Sequence, residues 1–394
     1  MTSRERASVR VAYVIDSLVG GGAETSLAAL APFYAERGIE LDVIYLKDSQ
    51  GLQAELKAAG AGLYSAAGSG GRAGNVRRIA AHLKELSPDL VHTTLFEADV
   101  AGRIAAKLTR VPVVSSLVNV QYGPEHYAAP HIKSWRLRAA QVVDVTTARL
   151  TTRMHALTAH VADSMSDRLS FPRTRIDVVP RGRDASVLGV RSPERSRAAR
   201  AAIGVAESVP LVIAASRQEY QKGLDILLAA WPRVSRAFPD AVLAIAGREG
   251  NHTGALRSLA EPQSESIHWL GARKDVPELL AAADVFVLPS RWEGLGSVLI
   301  EAMALEAPIV ASDLPPVREV VADCATLFPA EHPDALAAAV TGALTDHSRC
   351  SEMAERGRRR FEERFTTATV ADQMRSFYET ALGRDRTALA EQAL

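Results

Sequence analysis

The chain has 394 residues, 47% hydrophobic and 23% charged, which is the balance of a soluble globular protein large enough for two domains. Its formal net charge is zero, so bulk electrostatics favours no polyanion and no nucleic-acid partner is expected. Cys324 and Cys350 are the only cysteines, too few for a disulfide framework or a zinc cluster, and no apolar run approaches the roughly 18 residues of a spanning helix. These features fit a cytoplasmic protein in a reducing compartment, and the Ala and Arg usage suits a bacterial source. Charge is divided unevenly along the chain. Residues 1–185 carry 23 Lys and Arg against 18 Asp and Glu, and the remainder 23 against 28. The N-terminal half is therefore the side expected to face an anionic partner or a membrane surface.

Short apolar runs alternate with helical-period segments, the pattern of parallel α/β sheets. The basic start leads into a first strand, Val9–Ile15, and is too short in its apolar part to be a signal peptide. Gly20-Gly21-Gly22-Ala23-Glu24 follows and opens a helix to about Arg37. In doubly wound folds ligands sit at the carboxyl ends of strands, which makes Gly21 and Gly22 candidate ligand contacts. The same loop lacks G-x-G-x-x-G, so a dinucleotide-dependent oxidoreductase does not fit. Further strands are expected at Leu41–Tyr45, Leu90–Thr94, Pro112–Leu117 and Met154–Thr158. His92 lies at a strand end beside Thr93 and Thr94, either as a core histidine or as a site residue. Asn119 sits in a loop after a strand. His131 to Arg153 reads as a long helical region with Lys133, Trp135, Arg136, Arg138, Arg149 and Arg153, and Asp144 as its one acid. Two readings stand for it: an interfacial helix on an anionic bilayer, or a solvated helix face. Ile176–Pro180 is the last expected strand of the first domain, and Ser192–Val205 a charged linking helix.

The second domain opens with strand Pro210–Ala215 and the loop Ser216-Arg217-Gln218-Glu219-Tyr220-Gln221-Lys222-Gly223, followed by helix Leu224–Phe238. Arg217 and Lys222 both lie at this strand-to-helix junction, where two cations could neutralise a diphosphate, Arg as a fork and Lys as a point charge. Strand Val242–Ala246 ends in Gly247-Arg248-Glu249-Gly250. Strand Ile267–Leu270 ends in Gly271-Ala272-Arg273, after which Asp275 is placed to cap a short helix. The richest stretch is Leu288–Asp313. Strand Asp284–Pro289 gives way to Ser290-Arg291-Trp292-Glu293-Gly294, and a helix begins near Gly296. Amides of Gly294, Leu295, Gly296 and Ser297 would point out of that helix start, where the dipole favours a phosphate. Glu301 lies inside the same helix among apolar neighbours. A carboxylate there is costly unless something polar meets it, and two ribose hydroxyls would suit it. The other reading makes Glu301 a satisfied structural carboxylate and Glu293 a solvated loop charge. Asp313–Glu319 reads as a turn before a helix from Glu319. Helices Asp334–Leu344, His347–Phe365 and Thr367–Leu382 close the chain, and the tail after Gly383 is expected to fray.

Glu293-x7-Glu301, the following Glu301-Ala302-Met303-Ala304 and the strand Pro308–Ser312 resemble the signature of retaining glycosyltransferases of family 4. That resemblance implies the GT-B fold: an α/β chain with two Rossmann-like doubly wound domains facing a central cleft. The division expected is 1–185 for the acceptor, 186–365 for the nucleotide-sugar, and 366–394 as a helix crossing back, plus tail. It implies that Glu293 contacts the donor sugar, that Glu301 binds the ribose, and that Arg217 and Lys222 hold the diphosphate. Gly247 would stand in the turn at the cleft, and Ala272 and Arg273 beside the base, with Gly21 and Gly22 under the donor phosphate. Relatives often carry a histidine near the transferred sugar where this sequence reads Val118-Asn119, which leaves His92 and Asn119 as the N-terminal candidates. Three other departures occur. Arg181-Gly182-Arg183-Asp184 stands for Asn-Gly-Val-Asp, Glu306 for a glycine after the helix, and Pro315-Pro316 for a Gly-Gly surface turn. No Asp-x-Asp occurs, so no metal and no cofactor are expected; the nucleotide-sugar, UDP- or GDP-linked, is a co-substrate. The acceptor is a hydroxyl of a lipid-linked glycan, a metabolite or a natural product, with peripheral contact at the inner membrane face through the N-terminal domain. The rival readings are another GT-B enzyme, such as a nucleotide-sugar 2-epimerase, and a non-catalytic nucleotide-sugar-binding scaffold.

Overall fold

The computed structural model describes residues 8–128 and 133–384. His131 and the tail after Arg384 lie outside the described residues. Two compact units divide the chain: residues up to Gly182 together with those from Thr366, and Arg183–Phe365. Each is a parallel sheet covered on both faces by helices, the arrangement that turns strands into near-continuous apolar runs.

In the first unit the strands are β1 (Val9–Ile15), β2 (Ile39–Tyr45), β3 (Gly62–Ser65), β4 (Leu90–Thr94), β5 (Val113–Leu117), β6 (Arg153–Ala156) and β7 (Ile176–Val178). They lie in the order β3-β2-β1-β4-β5-β6-β7, every pair parallel. Strand β3 was not expected from the sequence. It is a four-residue edge strand that opens on a glycine and is nowhere fully buried, so it carries no hydrophobic run. The sheet core takes in the C-terminal helix Thr367–Ala381, whose Val370, Ala371, Met374, Phe377 and Tyr378 pack with Val11, Leu27, Tyr34 and Val43. The expected helix His131–Arg153 is shorter: Ser134–Ala148, with Arg149 ending it and Arg153 opening β6.

The second unit holds β8 (Leu211–Ala215), β9 (Val242–Ala246), β10 (Ile267–Gly271), β11 (Val285–Leu288), β12 (Ile309–Ser312) and β13 (Thr326–Phe328), in the order β10-β9-β8-β11-β12-β13. Its core gathers Leu224, Leu227 and Trp231 from the helix Leu224–Ala237 against Val212, Leu243, Val285 and Val310. Two local expectations are corrected. Pro315 and Pro316 do not form a surface turn; they start the helix Pro315–Val321, where a missing N–H costs nothing. Asp275 does not cap its helix through its side chain, because that carboxylate pairs with Arg273 at 2.7 and 2.5 Å.

In each sheet the strand order reverses beside the first strand, between β1 and β4 and between β8 and β11. Loops leaving the carboxyl ends of strands at such a point are where doubly wound folds bind ligands. Gly21 and Gly22 follow β1, Arg217 and Lys222 follow β8, and Glu293 follows β11. Among the described residues no helix is long and apolar enough to cross a membrane.

Candidate active site

In the second unit the loops after β8 and β11 are built onto each other. Gly223 has φ +61°, and a Cβ there would lie 2.0 Å from the Pro289 carbonyl oxygen, so only glycine lets the two loops touch. Gly247, after β9, is equally constrained: its Cβ would fall 1.7 Å from the Ser216 oxygen. Arg291 then ties the loops together. Its guanidinium donates to both carboxylate oxygens of Asp225 at 2.9 and 2.7 Å, to Glu331 at 2.8 Å and to the Tyr220 carbonyl at 2.8 Å, and stacks 4.0 Å over the Tyr220 ring. Gln221 adds a bond from its side-chain amide to the Trp292 carbonyl at 2.9 Å and accepts the Arg291 amide at 2.8 Å. Burial disfavours charge on both Arg291 and Asp225, but their mutual hydrogen bonds outweigh it, raising the arginine pKa and lowering that of the carboxyl.

This clamp sets Lys222 against Glu293. Lys222 Nζ lies 2.5 Å from Glu293 Oε1, and Ser290 donates to the same oxygen at 2.7 Å. Glu293 is 6% exposed, and among the described residues its Oε2 has no recorded partner. Arg217, on the same loop as Lys222, is far more exposed; its guanidinium comes within 3.7 Å of Glu219. Gly294, Leu295 and Gly296 are buried behind Glu293, and Gly296 precedes the helix Ser297–Ala304 without a side-chain cap. That leaves the positive end of the helix dipole on the side of the Glu293 loop. Glu301, on the fifth residue of this helix, finds its polar partner in Arg183, whose Nε donates to Oε1 at 2.6 Å across 118 residues of sequence. Ala272 is exposed just after β10, and Arg273 is engaged with Asp275. Among the described residues no group of three or more His, Cys, Asp or Glu is placed to hold a metal ion.

The candidates of the first unit are arranged differently. Gly21 is the residue before the helix Gly22–Glu36, and Cβ atoms at Gly21 and Gly22 would come within 2.4 Å of Glu24 and 2.6 Å of Arg181. Asn119 spends its side-chain oxygen on the Val120 amide at 2.9 Å. His92 is 1% exposed and has both ring nitrogens engaged: Nδ1 with Tyr378 Oη and Nε2 with Ser116 Oγ, each at 2.7 Å. Ser116 Oγ in turn meets His155 Nδ1 at 3.1 Å, and His155 Nε2 meets the Val179 carbonyl at 2.7 Å. Burial lowers the pKa of both rings, that of His155 to about 4, so both are neutral near pH 7. The protons then have one arrangement. A carbonyl only accepts, so His155 carries its proton on Nε2 and its Nδ1 accepts from Ser116. Ser116 accepts from His92 Nε2–H, and His92 Nδ1 accepts from Tyr378.

A second buried network lies beside it. Arg103, fully buried, binds Ser115 at 2.9 Å and Asp144 at 2.7 Å, and Tyr122 donates to the other Asp144 oxygen at 2.9 Å. Burial raises the Asp99 carboxyl to about 7, against the pull of Arg103.

Among the residues not picked out from the sequence, Arg183, Ser290, Gln221 and Arg291 touch the site in the second unit. The one sequence signal for Arg183 was its place in a segment that departs from Asn-Gly-Val-Asp. For Arg291 it was adjacency to Glu293.

Residues 196–360 match the family described as glycosyl transferases group 1, and residues 20–187 match glycosyltransferase family 4. An alpha-maltose-1-phosphate synthase of Mycolicibacterium smegmatis is 30% identical over 321 residues, 73% of this chain and 78% of that protein. A GDP-mannose-dependent monoacylated alpha-(1-6)-phosphatidylinositol monomannoside mannosyltransferase of Corynebacterium glutamicum is 37% identical over 142 residues, 34% of this chain. The match spans 37% of that relative's length. The structure of Anabaena HepE in complex with UDP and glucose superposes with a TM-score of 0.83 at 22% identity, covering 94% of this chain and all of that one, a likeness of fold. The chain belongs to the group 1 glycosyltransferases and has their GT-B fold.

Proposed function

We propose that this chain transfers a sugar from a nucleoside-diphosphate sugar to an acceptor hydroxyl with retention at the anomeric carbon. The observation that carries the reading is the Lys222–Glu293 pair. It is held at the switch point of the second sheet, next to the start of the helix that carries Glu301. In this reading Lys222 and Arg217 neutralise the diphosphate, aided by the backbone of Gly294, Leu295, Gly296 and Ser297. Charge forming on the leaving group is where preorganised donors lower a barrier most. Glu301 takes the ribose hydroxyls, Glu293 a sugar hydroxyl, and Gly247, Ala272 and Arg273 border the nucleoside. The bond from C1 to the diphosphate oxygen breaks as the bond to the acceptor oxygen forms on the same face. The acceptor proton passes to the departing phosphate. No metal takes part in this scheme.

The first unit is assigned the acceptor, with Gly21 and Gly22 under the donor phosphate and Asn119 as the remaining candidate at the sugar; His92, with both ring nitrogens engaged, is a core histidine in this reading. The helix Ser134–Ala148 supports an acceptor presented at a membrane surface. Trp135 and Val142 are each 66% exposed on it, among the exposed Lys133, Arg136, Arg138 and Arg149. Apolar and basic groups on one exposed helix suit an anionic interface.

The relatives named above supply the two nucleotides to try first, UDP and GDP. Thermal shift with UDP, GDP, ADP and TDP, each with and without EDTA, tests the donor site. One nucleotide is expected to raise the melting temperature whether or not EDTA is present, and no shift with any of them overturns the reading. Glu301→Gln is expected to keep the fold and lose about 1.5–3 kcal/mol of affinity for that nucleotide. Transfer is then assayed with the matching nucleotide-sugars. Donor binding without turnover on any acceptor, lipid-linked ones included, would assign the chain as a non-catalytic scaffold.

A further inference from the structure

Glu301 is a carboxylate in an apolar helix, and the partner that it finds in the second unit is Arg183. Three features of this pair bear on what it can do. The first is rigidity. The Arg183 amide donates to the Phe365 carbonyl at 2.8 Å, and the next residue, Asp184, caps the turn Ala185–Leu188 by accepting the Ser186 amide at 2.8 Å. The backbone that carries the guanidinium is thus fixed on both sides. The second is burial: the Arg183 side chain is 12% exposed and that of Glu301 18%. The third is geometry. Arg195 grips Glu278, and Arg291 grips Asp225, through two nitrogens and both carboxylate oxygens. Arg183 reaches Glu301 through Nε and Oε1, and among the described residues Glu301 Oε2 has no recorded partner. A carboxylate held by one edge still has lone pairs on the other for two adjacent hydroxyls.

We infer that Arg183 is a positioning residue: it holds Glu301 by one oxygen and turns the other toward a vicinal diol, so that the site selects a ribose over a sugar lacking its hydroxyls. The inference rests on the donor reading above. Arg183 touches the carboxylate and not the reacting atoms, so its effect falls on affinity and on ribose discrimination. Without it, a largely buried carboxylate would lose both its counter-charge and its orientation.

The test uses the full chain and calorimetry with UDP, GDP and their 2′,3′-dideoxy counterparts. Wild type is expected to bind one base and to prefer the ribose form. Arg183→Val is expected to weaken the ribose form about tenfold, the order of one hydrogen bond to a charged group, and to weaken the dideoxy form less than twofold. Arg183→Lys keeps the charge without the fixed Nε donor and is expected to fall between. Added to Glu301→Gln, Arg183→Val is expected to cost nothing more. Equal loss for both forms would make Arg183 a general electrostatic or structural group and overturn the inference. So would unchanged affinity, or tighter ribose binding that reveals a competing latch. Should Arg183→Val fail to fold, Arg183→Lys decides by the same readout, and wild-type discrimination in it also overturns the inference. A wild type that binds no nucleotide overturns the donor reading itself. One that prefers ribose with a silent Arg183 overturns only the inference.

Discussion

The two units hold buried polar clusters at corresponding places, beside the first strand of each sheet, and the clusters differ in one respect. In the first unit Tyr378, His92, Ser116, His155 and the Val179 carbonyl form a line in which every ring nitrogen has a partner and every proton a fixed direction. In the second, Lys222, Ser290 and Glu293 converge on a single oxygen, and Oε2 of Glu293 and of Glu301 have no partner among the described residues. A saturated network specifies a packing and has nothing left to offer a ligand. A charged, partly satisfied one is tolerable where something else completes it. Polar burial by itself is therefore a poor guide to a site; unspent hydrogen-bonding capacity is the better one. His92 shows the difference, since its two nitrogens join strands β4 and β5 to the C-terminal helix.

The contrast is broken most decisively by Lys222→Gln. Transfer is expected to fall about 10²–10³-fold, the size of a lost leaving-group donor, with the melting temperature lowered by less than about 3 °C. Steady-state transfer and calorimetry measure both; a variant that melts early but still transfers would reverse the roles given to the two clusters. Tyr378→Phe is the mirror experiment. It deprives the buried His92 Nδ1 of its donor and is expected to cost about 1–3 kcal/mol of stability, with nucleotide affinity unchanged. Urea denaturation alongside nucleotide titration checks it, and a change in affinity would mean that the saturated line reaches the site.

Acid sharpens the comparison further. Both histidines titrate lower in the folded protein than the usual value near 6.5. The unfolded chain binds more protons between about 6.5 and 4, so their contribution is whole above 6.5 and is lost as pH falls through that window. Asp99, raised to about 7 by burial, has the opposite sign: it favours the folded state below its unfolded pKa and loses that effect as pH rises through about 7. Asp16, also raised by burial, acts with it. Stability is expected to decline by on the order of 1 kcal/mol per pH unit between 6 and 4.5, and more steeply in Asp99→Asn. Denaturation midpoints against pH decide it, and a flat profile in the variant would remove the histidines from the account. The smallest effect belongs to Asp275→Ala. Its pair with Arg273 is partly exposed and lies within one short loop, so stability is expected to change by less than about 1 kcal/mol. A larger drop in chemical denaturation would give the β10 loop a structural weight that its exposure denies.

The sequence was informative where its signals are local. Alternating apolar and helical-period runs located eleven of the thirteen strands, because a buried parallel strand is a continuous apolar run; β3 is not one, and β13, likewise not expected, is three residues long and only half-buried at two of them. The helix around Glu301 was legible from its apolar residues, and the need for a polar partner from the carboxylate among them. The identity of that partner was not. Arg183 is 118 residues away, Asp225 is 66 residues from Arg291, and Tyr378 is 286 from His92. Pairings of that range are decided by which strand ends the fold brings together, and no spacing in the chain encodes them. The Pro315-Pro316 helix start and the Asp275 pair were missed for a smaller reason: a proline or an aspartate suits several local conformations, and a neighbour chooses among them.

The return of the chain to its first unit has a consequence for how the protein is made. Residues 183–365 form one continuous unit, whereas the first unit lacks its last helix until Thr367–Ala381 has been synthesised. At about 5–20 residues per second, a ribosome takes roughly 10–40 s to cross the intervening segment. Throughout that interval the nascent sheet exposes the apolar face that Val370, Met374 and Phe377 will cover, and His92 waits for the hydroxyl of Tyr378. The unit that begins first is therefore the one that finishes last.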